Sequence, residues 1–211
     1  MAKDPTLRYV LSFKNVLRKN KKKYAFLQLT GKNEDYLVKE LMFMIYRKSN
    51  GWMTLSNLGN KSELKHDIGI LNGNVNKESV VGLIEAKYLR NRHRYWEAKA
   101  TDESRGALKD LGRQLKKKTR QTHGGRRLRL RSLNKAVYGL VFASYISEKK
   151  DDAKDGFLKK QLKIATEYKL VSCGADKPQL KVVYEDEKVR LFGKKDFYVT
   201  LWMGMWRRSD V

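Results

Sequence analysis

The spacing of apolar residues around one central stretch predicts a β-hairpin. Residues 65–71 (KHDIGIL) and 80–89 (VVGLIEAKYL) form two short apolar runs, and the polar segment 72–79 (NGNVNKES) separates them. Because side chains alternate faces along a strand, Glu85 and Lys87 point the same way. Antiparallel pairing across the turn brings Asp67 back beside them. We therefore expect two carboxylates and a lysine to converge at one edge of a sheet.

The segments on either side of this hairpin alternate between helical and strand patterns. Apolar residues recur at helical spacing in three segments, which are Glu34–Arg47, Ala107–Leu115 and Phe157–Tyr168. Strand patterns occupy five others, which are Trp52–Leu58, Ala136–Ile146, Leu180–Tyr184, Val189–Phe192 and Phe197–Met203. A strand, a crossover helix and another strand are typical of a mixed or parallel sheet. The predicted class is α/β, with a central mixed β-sheet flanked by helices and extra C-terminal strands.

The first thirty residues have a different pattern. Apolar residues between Leu7 and Leu17 favour a short amphipathic helix with a cationic end, and Tyr24–Leu29 (YAFLQL) suggests a strand or the end of that element. We expect residues 1–30 to form a basic arm or helix and residues 31–211 to form the main domain. Asn33, after the break at Thr30 and Gly31, is positioned to cap the next helix.

Composition limits the class of protein. A chain of 211 residues with 41% hydrophobic residues can bury the core of one domain. It contains no apolar run long enough to span a membrane, and its N-terminus lacks the pattern of a signal peptide. The single cysteine, Cys173, excludes an internal disulfide framework and a cysteine-rich zinc site. These features predict an intracellular protein, cytoplasmic or nucleoid-associated, without a membrane partner.

Positive charge is the strongest global signal. The formal net charge is +24, and from Arg113 to Arg131 there is no acidic residue. Clustered cations of this kind favour a polyanion, and counterion release makes nucleic acid the leading partner. The basic run Arg18–Lys23 is equally consistent with a solvated surface. The predicted DNA contacts are Lys21, Lys22, Lys23, Arg92, Arg94, Lys116, Lys117, Lys118, Arg120, Arg126, Arg127 and Arg129.

The hairpin carboxylates have the chemistry of a divalent metal site. Mg²⁺ prefers carboxylate oxygens and keeps several waters, so Asp67 and Glu85 are candidate ligands, with the backbone carbonyl of Ala86 as a further one. Mn²⁺ is a possible substitute. Such a metal polarises a phosphate and lowers the pKa of a water, and Lys87 would orient that water or stabilise the developing negative charge. A third carboxylate could come from the helix that follows Asn33, as Glu34 or Glu40, of which we favour Glu34.

The string HDIGIL…VVGLIEAKYL resembles the PD-(D/E)XK nuclease superfamily, whose core is a helix, a three-stranded meander, a second helix and a fourth strand. The resemblance covers about residues 33–146, which leaves 147–211 as a C-terminal elaboration. It assigns Asp67 to the motif's Asp and Glu85 and Lys87 to its Glu-x-Lys. One departure is His66, which stands where the motif has proline.

Two further side chains enter through this resemblance. Glu34 matches the acidic residue often found on the family's first helix, and Gln114 matches a polar residue often found on its second helix, where it would support the metal ligands.

The resemblance implies a metal-dependent deoxyribonuclease, an endonuclease rather than an exonuclease. It would act as a homodimer or with a partner protein if both strands are cut. The alternative is a basic nucleic-acid-binding protein without catalysis, in which Glu85 and Lys87 form an ordinary ion pair. A ribosomal type of RNA-binding protein would explain the charge but not the carboxylates at strand ends.

Overall fold

The computed structural model describes most of the chain. The described residues are 5–30, 33–48, 52–58, 66–72, 79–91, 103–116, 122–123, 126–127, 129–130, 137–191, 193 and 195–209.

Helices flank one large sheet. The helices are α1 (Pro5–Lys19), α2 (Lys21–Thr30), α3 (Asn33–Lys48), α4 (Glu103–Lys116) and α5 (Ala153–Glu167). Within the described part of the chain, none of them is long and apolar enough to cross a membrane.

The strands form an eight-stranded mixed sheet and a separate two-stranded ribbon. The strands are β1 (Trp52–Leu58), β2 (His66–Asn72), β3 (Ser79–Arg90), β4 (Thr122–His123), β5 (Arg126–Arg127), β6 (Arg129–Leu130), β7 (Val137–Ser147), β8 (Leu170–Ser172), β9 (Lys181–Leu191) and β10 (Lys195–Arg208). The large sheet has the order β1-β2-β3-β7-β10-β8, with β6 beside β3 and β9 beside β10. β3 pairs in parallel with β6 and β7, and the other pairs of this sheet are antiparallel. β4 and β5 form the ribbon. The predicted α/β class with a mixed sheet and flanking helices is confirmed.

The sheet buries both of its faces. On β7, Leu140 and Phe142 belong to the core shared with α1, α2 and α3, whereas Val141 and Ala143 belong to the core shared with α4 and α5. This alternation explains why the run 136–146 is almost entirely apolar. The first thirty residues contribute to the same core, because Phe13 and Ala25 are fully buried in it.

Three predicted details are corrected by the structure. Of the two alternatives for Tyr24–Leu29, the strand is wrong: this segment belongs to the helix α2, whose buried residues Tyr24, Ala25, Gln28 and Leu29 have a spacing that fits one helix face. A run of six residues is too short to distinguish the period of a helix from that of a strand. The strands predicted at 180–184 and 189–192 are one strand, β9, which pairs with β10 across an irregularity in register. α5 begins at Ala153, four residues before the predicted start.

A glycine on β7 allows α4 to pack close to the sheet. A Cβ built at Gly139 would be 2.9 Å from Cδ1 and 3.1 Å from Cδ2 of Leu111, a fully buried residue of α4. Because β7 lies beside β3, this contact also fixes the position of α4 relative to β3. The polar side chains of α4 near β3 therefore depend on this glycine.

We expect Gly139→Val to destabilise the fold by about 1–3 kcal/mol, since the added atoms overlap a buried leucine in a packed core. Urea unfolding measures the change. Gly106→Ala on α4 is the control, because its Cβ would meet no atom within 4 Å and alanine favours a helix. Equal stability of Gly139→Val and the wild type would contradict the proposed packing constraint.

Candidate active site

The candidate site forms where β3 continues past the N-terminal end of β2. The last residue pair between these strands is Ile68 with Ile84, whereas β3 stays paired with β7 as far as Arg90. Buried backbone N–H groups without partners are costly, so an edge of this kind must be satisfied in another way. Here carboxylates accept the hydrogen bonds.

Two acidic side chains are held at this edge by backbone amides. The N–H of Ala86 donates to Oδ2 of Asp67 at 2.7 Å, and the N–H of Tyr88 donates to Oε2 of Glu34 at 2.9 Å. Asp67 comes from β2 and Glu34 from the first turn of α3. The edge of β3 thus gathers carboxylates from two elements that are separate in sequence.

Glu85 and Lys87 lie on the face of β3 that is covered by α4. Leu89, two residues further on, packs in the same core as α4 residues Leu108 and Leu111. The Nζ of Lys87 is 2.6 Å from Oε1 of Glu85, whose residue is only 3% exposed. Continuing the strand register by one residue sets Asp67 opposite Glu85, so their side chains share this face. The structure therefore brings together Glu34, Asp67, Glu85 and Lys87.

Sequence reasoning missed one member of this group, Asp110. Its Oδ2 is 3.2 Å from the Nζ of Lys87, and its Oδ1 is 2.7 Å from Nη2 of Arg113. Helical spacing contained a signal for it, since Asp110 lies three residues after Ala107 and four before Gln114, on one face of α4.

Gln114 lies one turn beyond Asp110 and is 4% exposed. Its amide oxygen is buried and has no hydrogen-bond partner among the described residues. This unsatisfied acceptor is unusual for a buried amide. It leaves a polar atom on the face of α4 that carries Asp110.

Burial raises the pKa of three carboxyl groups in the cluster. For Glu85, burial and then the negative charge of Asp67 raise the pKa to about 7, although Lys87 opposes the shift. Burial likewise raises the pKa of Asp67 and of Glu34. In this cluster the attraction of Lys87 does not fully offset the cost of burying the carboxylates.

In Lys87 and Asp110, by contrast, the surroundings favour the charged form of the side chain. Burial disfavours the charge of Lys87, but Glu85 and Asp110 outweigh burial and raise the pKa of this ammonium. Burial also disfavours the charge of Asp110, but Arg113 and Lys87 outweigh it and lower the pKa of this carboxyl. Lys87 is consequently a fixed positive charge rather than a proton acceptor.

The donor set fits a hard divalent cation bound by two carboxylates. Among the described residues there is no ready-made group of three or more His, Cys, Asp or Glu side chains that could hold a metal ion. Mg²⁺ does not require one, because it is commonly held by one or two carboxylates, water and substrate phosphate. Asp67 and Glu85 supply such a pair, and a divalent cation would offset both causes that raise the pKa of Glu85, which are its burial and the negative charge of Asp67.

The predicted DNA-binding lysines of α2 are partly engaged within the protein. Lys21 pairs with the buried Glu187 at 2.7 Å, and Lys23 pairs with Glu40 at 3.0 Å. Lys22 is exposed. Glu40, the other helix carboxylate considered, also accepts a hydrogen bond from Tyr36 at 2.7 Å, so its described partners are away from β3.

The remaining predicted basic contacts belong to the segment after α4 or fall outside the description. Arg126 and Arg127 form β5, Arg129 in β6 pairs with Ser79 at the start of β3, and Lys116 ends α4. The predicted contacts outside the described residues are Arg92, Arg94, Lys117, Lys118 and Arg120.

Comparisons of the chain with protein-family models, with curated proteins and with solved structures found no match.

We expect Glu85→Gln to change how stability depends on pH in the absence of metal. A carboxyl whose pKa is raised on folding destabilises the native state progressively as pH rises from about 4.5 to 7. Glutamine does not titrate, so the free energy of unfolding of the variant relative to the wild type should rise across this window, by up to about 3 kcal/mol. It should level off above and below the window.

Urea unfolding in EDTA at a series of pH values measures this difference. Glu148→Gln, at an exposed position, is the control. A difference between Glu85→Gln and the wild type that does not change with pH would contradict the raised pKa.

Proposed function

We propose that this protein is a Mg²⁺-dependent deoxyribonuclease of the PD-(D/E)XK type, an endonuclease that hydrolyses phosphodiester bonds, with Mn²⁺ as a possible substitute metal. One observation carries the proposal. Asp67, Glu85 and Lys87 share one face of the sheet where β3 passes the end of β2, and Lys87 is 2.6 Å from Glu85. Glu34 stands at the same edge through its hydrogen bond with Tyr88.

The order of elements supports this family. α3 is followed by the meander β1-β2-β3, then by α4, and later by β7, which pairs with β3. The family resemblance implies the same sequence of helix, three strands, helix and strand. Under this proposal residues 33–146 are the restriction-endonuclease-like core, and α5 with β8, β9 and β10 is an addition to it.

Asp67 and Glu85 would hold the metal. When bound, Mg²⁺ supplies Lewis-acid polarisation of the scissile phosphate and a lower pKa for the attacking water. Asp67 is oriented for this role by the N–H of Ala86, and Glu85 is kept away from bulk solvent by α4. Glu34 adds negative charge at the edge of the same group, which favours a cation there.

Lys87 would stabilise negative charge rather than accept a proton. Its raised pKa keeps the ammonium charged, and Glu85 and Asp110 hold its Nζ at the carboxylates. A fixed cation beside a reacting phosphate is worth most for the charge that develops in the transition state. Asp110 is then a positioning residue for Lys87, and Arg113 in turn pairs with Asp110.

The net charge of +24 supports DNA as the substrate. The basic segment from Arg113 to Arg131 contains β4, β5 and β6, and β6 pairs with the start of β3. This segment therefore reaches the N-terminal end of β3, which is the end farther from the carboxylates. Extended contact with a phosphate backbone on both sides of the scissile bond would follow, and cutting both strands favours a homodimer or a partner protein.

A second candidate is a DNA-binding protein without catalysis. It is favoured by the close ion pair between Lys87 and Glu85, which is complete without a metal, and by the lack of a group of three metal-binding side chains among the described residues. The two functions differ in whether DNA is cut.

We expect Asp67→Asn and Lys87→Met to reduce cleavage at least 100-fold while leaving DNA affinity within about threefold of the wild type. Asparagine can still accept the hydrogen bond from Ala86, and methionine keeps the apolar stem of the lysine, so each variant mainly removes a charge. The measurement is the cutting of supercoiled plasmid and linear DNA with Mg²⁺ or Mn²⁺. Affinity is measured separately in EDTA.

Lys159→Met, at an exposed position of α5, controls for the loss of one positive charge. Full cleavage by both site variants would refute the catalytic assignment. Tight DNA binding without cutting by the wild type in either metal would favour the second candidate.

A further inference from the structure

A basic cavity opens beside the candidate active site. It has a volume of about 580 Å³ and lies between α4, the C-terminal end of α5 and the end of β10. This volume is within the range of small-molecule sites in proteins and can admit a nucleotide-sized group. Four cationic side chains line it: Lys109, Arg113, Lys169 and Arg208.

The acidic side chains of this basic cavity already have partners. Glu167 pairs with Arg105 at 2.6 Å, and Asp110 pairs with Lys87 and Arg113. Within the described part of the chain, by contrast, no acidic side chain forms an ion pair with Lys109 or with Lys169. The cavity thus has a surplus of positive charge, which favours an anion.

The backbone at Lys169 indicates that its side chain matters. Lys169 follows the end of α5 with φ of 58°, a left-handed conformation in which glycine or asparagine is strongly preferred. Lysine at this point costs stability relative to glycine, yet it stands at the wall of the cavity. A role for its ammonium group explains this choice.

The α4 wall of the cavity has no side chain at Gly106. Gly106 lines it from inside a helix, where alanine would be more stable, and a Cβ there would meet no atom within 4 Å. Nη1 of Arg208 donates to the carbonyl of Gly112 at 3.1 Å, which anchors this guanidinium to α4. The α4 wall therefore lacks a side chain at Gly106, and the guanidinium of Arg208 is held in place at the wall formed by the end of β10.

Asp110 connects the cavity to the candidate active site. It lines the cavity, and its Oδ2 is 3.2 Å from the Nζ of Lys87. Asp110 is therefore shared by the cavity and the candidate active site, and a nucleic-acid strand whose scissile phosphate lies at Lys87 would run next to the cavity.

We propose that this basic cavity binds a backbone phosphate of the DNA strand next to the one that is cut. The proposal rests on the proposed nuclease function for the meaning of that position, but the binding itself is independent of catalysis. Phosphate contacts of this kind fix the register of a strand and carry no sequence information. The cavity would set which phosphate reaches Lys87.

The test is the double variant Lys109→Ala/Lys169→Asn. Lys109 is exposed, and asparagine suits the left-handed backbone at position 169, so the fold should be at least as stable, which thermal unfolding checks. The control is Lys159→Ala/Lys163→Ala, which removes the same charge from exposed positions of α5 outside the cavity. Binding of a labelled DNA duplex is followed by fluorescence anisotropy in EDTA between about 50 and 200 mM salt.

We expect the cavity variant to bind DNA about tenfold more weakly than the control and to reduce the slope of log K against log salt by about 2. Affinity and slope equal to those of the control would overturn the proposal. Cleavage assays separate this outcome from the nuclease assignment. If the cavity variant alone loses affinity but no protein cuts DNA, the cavity assignment stands and the nuclease assignment fails. If the cavity variant and the control cut DNA equally well and bind it equally well, the nuclease assignment stands and the cavity assignment fails.

Discussion

Two hydrogen bonds at the open edge of β3 determine the geometry on which the rest of the site depends. Because the pairing of β3 with β2 stops at Ile84, the N–H groups of Ala86 and Tyr88 donate to Asp67 and Glu34 instead of to a neighbouring strand. These bonds satisfy the backbone, join α3 to the sheet and hold two carboxylates at neighbouring positions along one edge of β3. The residues that would bind a metal are thus also residues that complete the fold. This double role explains how acidic groups come to be buried there.

The cluster carries an electrostatic cost that other elements reduce only in part. Lys87 and, through Asp110, Arg113 offset some of the negative charge, yet the pKa of Glu85 stays near 7. Buried carboxyl groups whose pKa is raised in this way are typical of functional sites, where a bound ligand supplies the missing positive charge. The same helix, α4, supplies Asp110, which contacts Lys87 and also lines the basic cavity, and Lys109, which lines the cavity only. A bound metal ion would offset the negative charge of the carboxylates, and a phosphate backbone would offset the positive charge of the basic cavity.

The sequence predicted the local parts of this arrangement and missed the parts that depend on distant contacts. Strand alternation and hairpin pairing were enough to bring Asp67 beside Glu85 and Lys87, and the apolar run of β7 identified a strand buried on both faces. Helical spacing could have indicated Asp110, but only the packing of α4 on β3 shows its contact with Lys87. Lys21 pairs with Glu187, and Lys169 lines the same cavity as Arg208, although these residues are far apart in the chain. No local pattern signals either arrangement.

The most direct test of the central claim is calorimetric titration of the DNA-free protein with Mn²⁺, for the wild type, Asp67→Asn and Asp155→Asn. Asp155 is an exposed residue of α5 and serves as the control. We expect one Mn²⁺ to bind per chain in the wild type and the control, and its affinity to fall at least tenfold in Asp67→Asn, since the variant removes one of two anionic ligands. No binding by the wild type at millimolar Mn²⁺, or equal binding by all three proteins, would contradict a metal site at the edge of β3.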